Sequence, residues 1–436
     1  MPLSARSFNY LCIAFVALLF AAFILLHIWK DKERHDFGQF YMGGTMAHTG
    51  DWDSLYPVPL PKANVNPGWS YGSTEKPHYH ELTVERGVGR TFRFIQLPPN
   101  AILYSWMAHL SYQNAYRVWH IVMAIFVVLT AAEAGAIYLK MSGERESYIA
   151  GLVTLLVGCS PLMIYTQSVS NTGPLLSACF GAAVLGLLGP EKLGLSPAIG
   201  MVVGGFTKYA PAVILPLVIS MRRWRTLAWS VGLAVVIALA TICVTGTGVW
   251  VEFWKVIWPP LQKSSNEEAC QSLWGFLSRV LHQFPLHHPA VLGIKIGQYF
   301  VLVVILLTLV KRKEFWNVPE HVAAAAAALM AWLLIFAPIA WQFYHCMLTP
   351  LWAWLVWEAI RGKTGMRIAV AAGILLTIAP SPGSLWGKFP EPIASRQLFS
   401  AVVILGIALW RLGCPCCGIR NDSVIGGVAD GVGQMG

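Results

Sequence analysis

The sequence predicts an all-α polytopic membrane protein, and three observations carry that reading. Of 436 residues, 56% are hydrophobic and only 12% are charged. Apolar runs such as YLCIAFVALLFAAFILLHIW and GQYFVLVVILLTLV recur along the chain, and about 20 apolar residues in a helix cross a bilayer. Between the runs, Lys and Arg gather in short loops, as in the cytoplasmic loops of helical membrane proteins. A transmembrane barrel would show short segments of alternating polarity instead. The net charge of +10 is accounted for by those loops, so no nucleic-acid partner is expected.

The first apolar run, Phe8 to Trp29, lacks a small-residue cleavage site and is read as a retained helix. The basic stretches at 221–225, 311–313 and 361–367 are placed in the cytoplasm, together with 140–147 and 190–194. Helices are then expected near 116–139, 227–248, 291–310, 320–338, 343–360, 367–380 and 395–411. The segment 194–220 must go out and return between two cytoplasmic loops, with FTKYAP at its midpoint. Two short helices meeting at Lys208 satisfy that requirement. About 12 crossings follow from this threading. Parity leaves LPPNAILYSWMAHLSYQ (97–113) unable to span, so it is expected as an amphipathic helix at the outer surface, started by its two prolines.

Residues 1–412 form one transmembrane domain in this reading, with a first outer loop at 30–115 and a second at 249–290. A cytoplasmic tail of 413–436 carries Cys414, Cys416 and Cys417. These are read as reduced thiols, with metal binding or lipidation as the other readings. The remaining cysteines form no disulfide framework. Polar and aromatic residues concentrate in the outer segments while the cytoplasmic loops stay short and basic, so function is expected outside.

Several side chains there suit chemistry. Asp36 follows the first helix, beside His35 and Phe37, and is either a solvated charge or a site carboxylate. Lys208 at its hairpin tip either snorkels to the interface or binds an anion such as phosphate. His345 is an interface residue, a general base or a ligand. Gln167 and Asn171, in YTQSVSN, are turn residues or readers of hydroxyl groups. Trp341 and Tyr344 fit an interfacial aromatic belt. No phosphate-cradling Gly-Lys-Ser loop, nucleophile elbow or dinucleotide site stands out. His287–His288 has no partnering ligands at useful spacing, so no metal site is assigned.

Taken in order, these pieces resemble glycosyltransferase family 87, membrane mannosyltransferases of the GT-C class that use a polyprenyl-phosphate sugar. The similar stretches are DFGQFYMGGTMAHTGDWDSLY (36–56), FIQLPPNAILY (94–104), YTQSVSN (165–171), GFTKYAPAVILPLVISMRRWR (205–225), QSLWGFLSRVL (271–281) and APIAWQFYHCMLTP (337–350). Thr166 stands where the family has a turn glycine, Ala337 where it has serine, and Tyr344 where it has the first of two histidines. The resemblance implies a GT-C-type fold in the bacterial plasma membrane, with its active site on the extracytoplasmic face. It implies transfer of mannose, with inversion, from a polyprenyl-phosphate donor to a glycolipid or glycan acceptor. Asp36 is then the general base and His345 a second catalytic residue. Lys208, Arg279 and Arg93 face the donor phosphate, and His35, Tyr41, Gln167, Asn171, Gln271, Trp341 and Tyr344 line the sugar and acceptor sites. No cofactor is required, although Asp36 and its neighbours leave room for a divalent cation. The alternative is a transporter or flippase of lipid-linked sugars, which would favour internal repeats and mid-membrane polar groups.

Overall fold

The computed structural model describes residues 3–27, 35–59, 73–74, 76–88, 93–145, 147–191, 194–262, 270–280, 289–311, 316–378 and 395–413. The calls on Cys414, Cys416, Cys417, the His287–His288 pair, the segment 380–394 and the side chain of His35 lie outside the described residues.

Among the described residues, seven helices are long and apolar enough to cross a membrane, and three shorter apolar helices accompany them. The chain opens with α1 (Ala5–His27) and α2 (His35–Thr49). A two-residue antiparallel pair, β1 (Val58–Pro59) with β2 (Ser73–Thr74), precedes α3 (Pro77–Glu85). The expected surface helix at 97–113 is shorter than predicted: α4 (Pro98–Tyr104) has proline in its first turn and passes into a 3-10 stretch, Ser105–His109. It ends there because Ser111 caps the next helix, α5 (Tyr112–Ser142), accepting from the Asn114 N–H at 3.4 Å. Nor does α4 lie loosely on a surface. A Cβ on Gly44 of α2 would fall 2.3 Å from the Tyr104 carbonyl oxygen, so the two helices touch backbone to backbone.

The helix α6 (Tyr148–Gly158) breaks at Ser160, which caps α7 (Pro161–Ser168), and a turn leads into α8 (Gly173–Leu187). The expected hairpin follows. Its arms are α9 (Leu195–Lys208) and, after a 3-10 turn at Ala210–Ile214, α10 (Leu215–Ser220). Pro211 cannot continue α9 because it has no N–H to donate.

The helix α11 (Trp224–Glu252) is longer than the expected 227–248. It passes a break at Gly246, where φ is +73°, then a π-helical turn at Phe253–Ile257 and α12 (Trp258–Leu261). Much of the outer loop expected at 249–290 is therefore helix, as is α13 (Leu273–Val280). Then come α14 (Pro289–Lys311), α15 (Pro319–Phe336), a 3-10 stretch at Gln342–Leu351 leading into α16 (Trp352–Arg361), α17 (Thr364–Ile378) and α18 (Arg396–Gly413).

Small residues let these helices approach closely. Ala323 to Ala328 of α15 are all fully buried at the centre, and a Cβ on Gly200 of α9 would lie 2.3 Å from the Cys179 carbonyl oxygen of α8. Large apolar side chains instead face outward on α1 (Leu18, Leu25), α11 (Val236, Leu239) and α14 (Leu292, Phe300). A belt of that kind is the signature of a lipid-facing surface, and the chain is an integral membrane protein.

The ends of the bundle differ. Glu320 at the start of α15 pairs with Arg361 at the end of α16 at 3.2 Å. Glu358 of α16 pairs with Arg411 at the end of α18 at 3.1 Å, both largely buried. This is also the end where α16 passes at Arg361 through a short turn into α17. Asp36, Asn171, Lys208 and Tyr344 gather at the opposite end.

Candidate functional site

Lys208 ends α9, and the next residue turns sharply (Tyr209, φ 6°, ψ −16°). Gly204 allows the fold-back, since a Cβ there would sit 2.5 Å from the Pro211 ring. The tip is thus tight, and the Lys208 ammonium is aimed across it. It donates to the Tyr344 hydroxyl and stands 5.0 Å from that ring's centroid.

Lys208 and Tyr344 form the polar end of a cavity of about 300 Å3. Its other walls are greasy: Trp250, Phe253, Trp254 and Trp258 from the far end of α11 through α12, and Leu334 and Trp341 from α15 and its exit. Leu97, the N-cap of α4, closes another side. Tyr209 and Trp254 are each about half exposed (47% and 48%), so the chamber opens sideways past them. The π-helical turn at Phe253–Ile257 is wider by one residue than an α-helical turn, and its Phe253 and Trp254 line the chamber.

Asp36 lies in the first turn of α2 and is half-buried. The next residue anchors it. Phe37 is fully buried, with ring contacts to Tyr112, Tyr116 and Trp119 at centroid distances of 5.4, 5.3 and 6.0 Å. The Asn171 side-chain amide donates to Asp36 Oδ2 at 2.8 Å. Lys208 sits at the hairpin tip, beyond the candidate spans. Burial there pulls its pKa below the ordinary lysine value, and the Asp36 carboxylate opposes that shift. The Asp36 carboxylate, 172 positions earlier in sequence (208 − 36), is thus within electrostatic reach of the Lys208 ammonium, although Lys208 lines the cavity and Asp36 does not.

The other residues singled out from the sequence divide. Trp341 and Tyr344 line the cavity. His345 is fully buried just behind them and faces the Gln271 backbone. Gln271 is itself fully buried: its N–H donates to the Ala340 carbonyl at 2.6 Å and its side-chain oxygen accepts from the Gln397 N–H at 3.2 Å. Arg279 is held by the Cys270 carbonyl (2.8 Å) and the Ser395 hydroxyl (2.6 Å), tying α13 to the start of α18. Arg93 stands apart from the cavity, beside Lys76 and Tyr79. Tyr41 is buried and donates to the Leu110 carbonyl at 3.0 Å. Gln167 turns its amide to His120 rather than to the chamber.

Reading the sequence alone missed three groups. Tyr165 is within electrostatic reach of both Asp36 and Arg396. Arg396, largely buried, begins α18. His120 is a buried histidine in the first third of α5, hydrogen-bonded to Gln167 and Ser170. Among the described residues no three His, Cys, Asp or Glu side chains gather as metal ligands.

The fold and this chamber define an integral membrane protein whose polar groups converge at one end of a helix bundle, against an apolar pocket. A family model for glycosyltransferase family 87 matches residues 94–338, and the chain belongs to that family; it is a glycosyltransferase. The matched span includes Asn171, Lys208 and the α4 helix, while Asp36 and Tyr344 fall outside it. A search of curated proteins yields no match.

Proposed function

We propose that the chain transfers mannose from a polyprenyl-phosphate donor to a glycolipid or glycan acceptor on the extracytoplasmic side of the membrane. The observation that carries this reading is Lys208: one ammonium at the polar end of an aromatic, sideways-open cavity, with Asp36 in electrostatic reach. An anionic headgroup on an apolar tail matches that combination. The tail enters past Tyr209 and Trp254, and its phosphate stops at Lys208.

In this reading Asp36 takes the proton of the acceptor hydroxyl as that oxygen attacks the anomeric carbon from the side opposite the phosphate. The bond from that carbon to the phosphate oxygen breaks, and its electron pair leaves with polyprenyl phosphate, which gains a second negative charge beside Lys208. Configuration inverts. A phosphate monoester is a good leaving group, so one base suffices where glycoside hydrolysis calls for two carboxylates. The apolar walls exclude water and strengthen the ammonium's effect on the developing charge. Tyr344 and Trp341 border the sugar, with His345 packed behind them.

The test mixes purified full-length protein with radiolabelled polyprenyl-phosphate mannose and a bacterial lipid extract as acceptor pool, and products are separated for new glycosides. Wild type is expected to form one, and Asp36→Asn is expected to lose at least about 100-fold, the usual scale for a general base. Undiminished transfer by Asp36→Asn removes the base assignment. No transfer at all, with movement of the labelled lipid across vesicles, supports the carrier.

A further inference from the structure

The turn that presents Asn171 to Asp36 is held in an uncommon conformation, and α5 holds it. Between α7 and α8 the chain reverses through Ser170, whose φ of +58° lies in the left-handed region that side-chain-bearing residues avoid. Three residues on one face of α5 reach it. The Trp119 indole N–H donates to the Ser170 carbonyl at 3.0 Å. His120 Nε2 meets the Ser170 hydroxyl at 3.0 Å, and that hydroxyl faces the Tyr116 hydroxyl at 3.5 Å.

Gln167 decides which proton His120 carries. Its amide nitrogen lies 2.8 Å from the His120 carbonyl and 3.0 Å from His120 Nδ1, while its own oxygen is buried without a partner. An amide NH2 only donates. Nδ1 must therefore accept, the ring is neutral, and the ring proton sits on Nε2, directed at Ser170. One residue further on, Asn171 donates to Asp36 Oδ2 at 2.8 Å.

We propose that His120 is a positioning residue for sugar transfer: set in its Nε2–H tautomer by Gln167, it locks Ser170 in the left-handed turn and so aims the Asn171 amide at the Asp36 carboxylate. This rests on the reading of Asp36 as the base. His120 touches no substrate. Its effect passes through Ser170 and Asn171 to the carboxylate, whose plane the Asn171 contact fixes for receiving the acceptor proton. Loss of the clamp frees the turn and takes a donor from Asp36. A carboxylate that loses a donor holds its proton more tightly, so Asp36 becomes protonated at higher pH.

That consequence separates positioning from mere packing. A packing defect lowers the amount of folded protein and leaves the pH profile of the remainder where it was. Among the described residues, the titratable groups within electrostatic reach of Asp36 include Lys208 from α9, Tyr165 from α7 and Tyr344 ahead of α16, and the substitutions used leave all three in place.

The experiment measures kcat, donor KM and pH profile in the polyprenyl-phosphate mannose assay for His120→Ala, Ser170→Ala, Asn171→Ala and the double variant His120→Ala/Asn171→Ala. Each single change is expected to lower kcat roughly tenfold, with donor KM within about twofold, and to move the acid limb upward by about half a pH unit or more. The double variant is expected to match Asn171→Ala alone, because His120 then has nothing left to aim. Multiplying losses in the double variant, or an unmoved acid limb, overturn the proposal. If His120→Ala does not fold, Ser170→Ala, which removes only the hydroxyl that His120 reaches, must show the same shift, and an unmoved limb there overturns it equally. The two readings fail separately: active Asp36→Asn sinks the base assignment, whereas inactive Asp36→Asn with an unmoved His120→Ala profile sinks this inference alone.

Discussion

Replacing Lys208 with methionine keeps the length of the stem and removes only the charge. The ammonium donates to Tyr344 and sits over its ring, which fixes its place at the polar end of the cavity. A phosphate oxygen at about 4 Å, at an effective dielectric of about 20, interacts with it by about 4 kcal/mol. Part of that is offset, because burial already works against the ammonium. Losses of about 2.7–4 kcal/mol, or roughly 10²–10³-fold in rate, are usual when one donor to a developing anion is removed. Lys208→Met is therefore expected to lower kcat/KM about 100- to 1000-fold. Most of the loss should fall in kcat, because the phosphate carries one negative charge in the donor and two as it leaves. Thermal stability in detergent should hold or rise, since a costly buried charge is gone. In the same assay the alkaline limb of the wild type should fall below the ordinary lysine pKa of about 10.4, because Lys208 is lowered and its charged form is the working one. In Lys208→Arg that limb should disappear. A loss under about threefold, or one confined to KM, would refute the assignment of Lys208 to the leaving phosphate.

Two further outcomes test what holds the site. Gly44→Ala puts a methyl 2.3 Å from the Tyr104 carbonyl oxygen, where backbone cannot yield, so α2 and α4 must part. Destabilisation of about 1–3 kcal/mol is expected in a thermal melt, with loss of transfer because Asp36 rides on α2, whereas Gly232→Ala, with nothing within 4 Å of its Cβ, should be neutral or stabilising. At the opposite end, Arg411→Met leaves the buried Glu358 carboxylate without its ion partner and is expected to cost about 3–5 kcal/mol by denaturation in detergent. The double variant Arg411→Met/Glu358→Gln should recover much of that, and no recovery would mean the pair is not the cause.

Much of the architecture was legible because the physics behind it is local. A run of apolar residues is a helix in lipid whatever it packs against, and the parity of basic loops was enough to require a hairpin at 194–220. A lysine followed by Tyr-Ala-Pro could not continue a helix, so the break at Lys208 fell where proline put it. The boundaries that moved depend on contacts no local pattern encodes. The surface helix stops at His109 because Ser111 begins α5, and α11 continues past Gly246 because its aromatic end packs into a chamber wall.

The candidate site divides along the same line. Asp36, Lys208 and Tyr344 were legible as polar groups at helix ends on one side of a membrane, where a charge needs a reason to be. Gln167 was not legible, because the same amide reads a sugar hydroxyl or fixes a histidine tautomer depending on what faces it. What faces it is His120, 47 residues earlier. That histidine sits among Tyr116, Trp119 and Met123 on a helix that would span the membrane without it, so hydropathy gives it no role. Only the φ of Ser170 shows a turn that needs holding. The chemistry of this site therefore has two layers with different sequence signatures. The groups that the proposed reaction sets nearest the phosphate and the acceptor announce themselves by charge at the membrane boundary. The groups that aim them are uncharged, buried and distant in sequence, and they become visible only when a strained backbone is traced to the side chains that hold it.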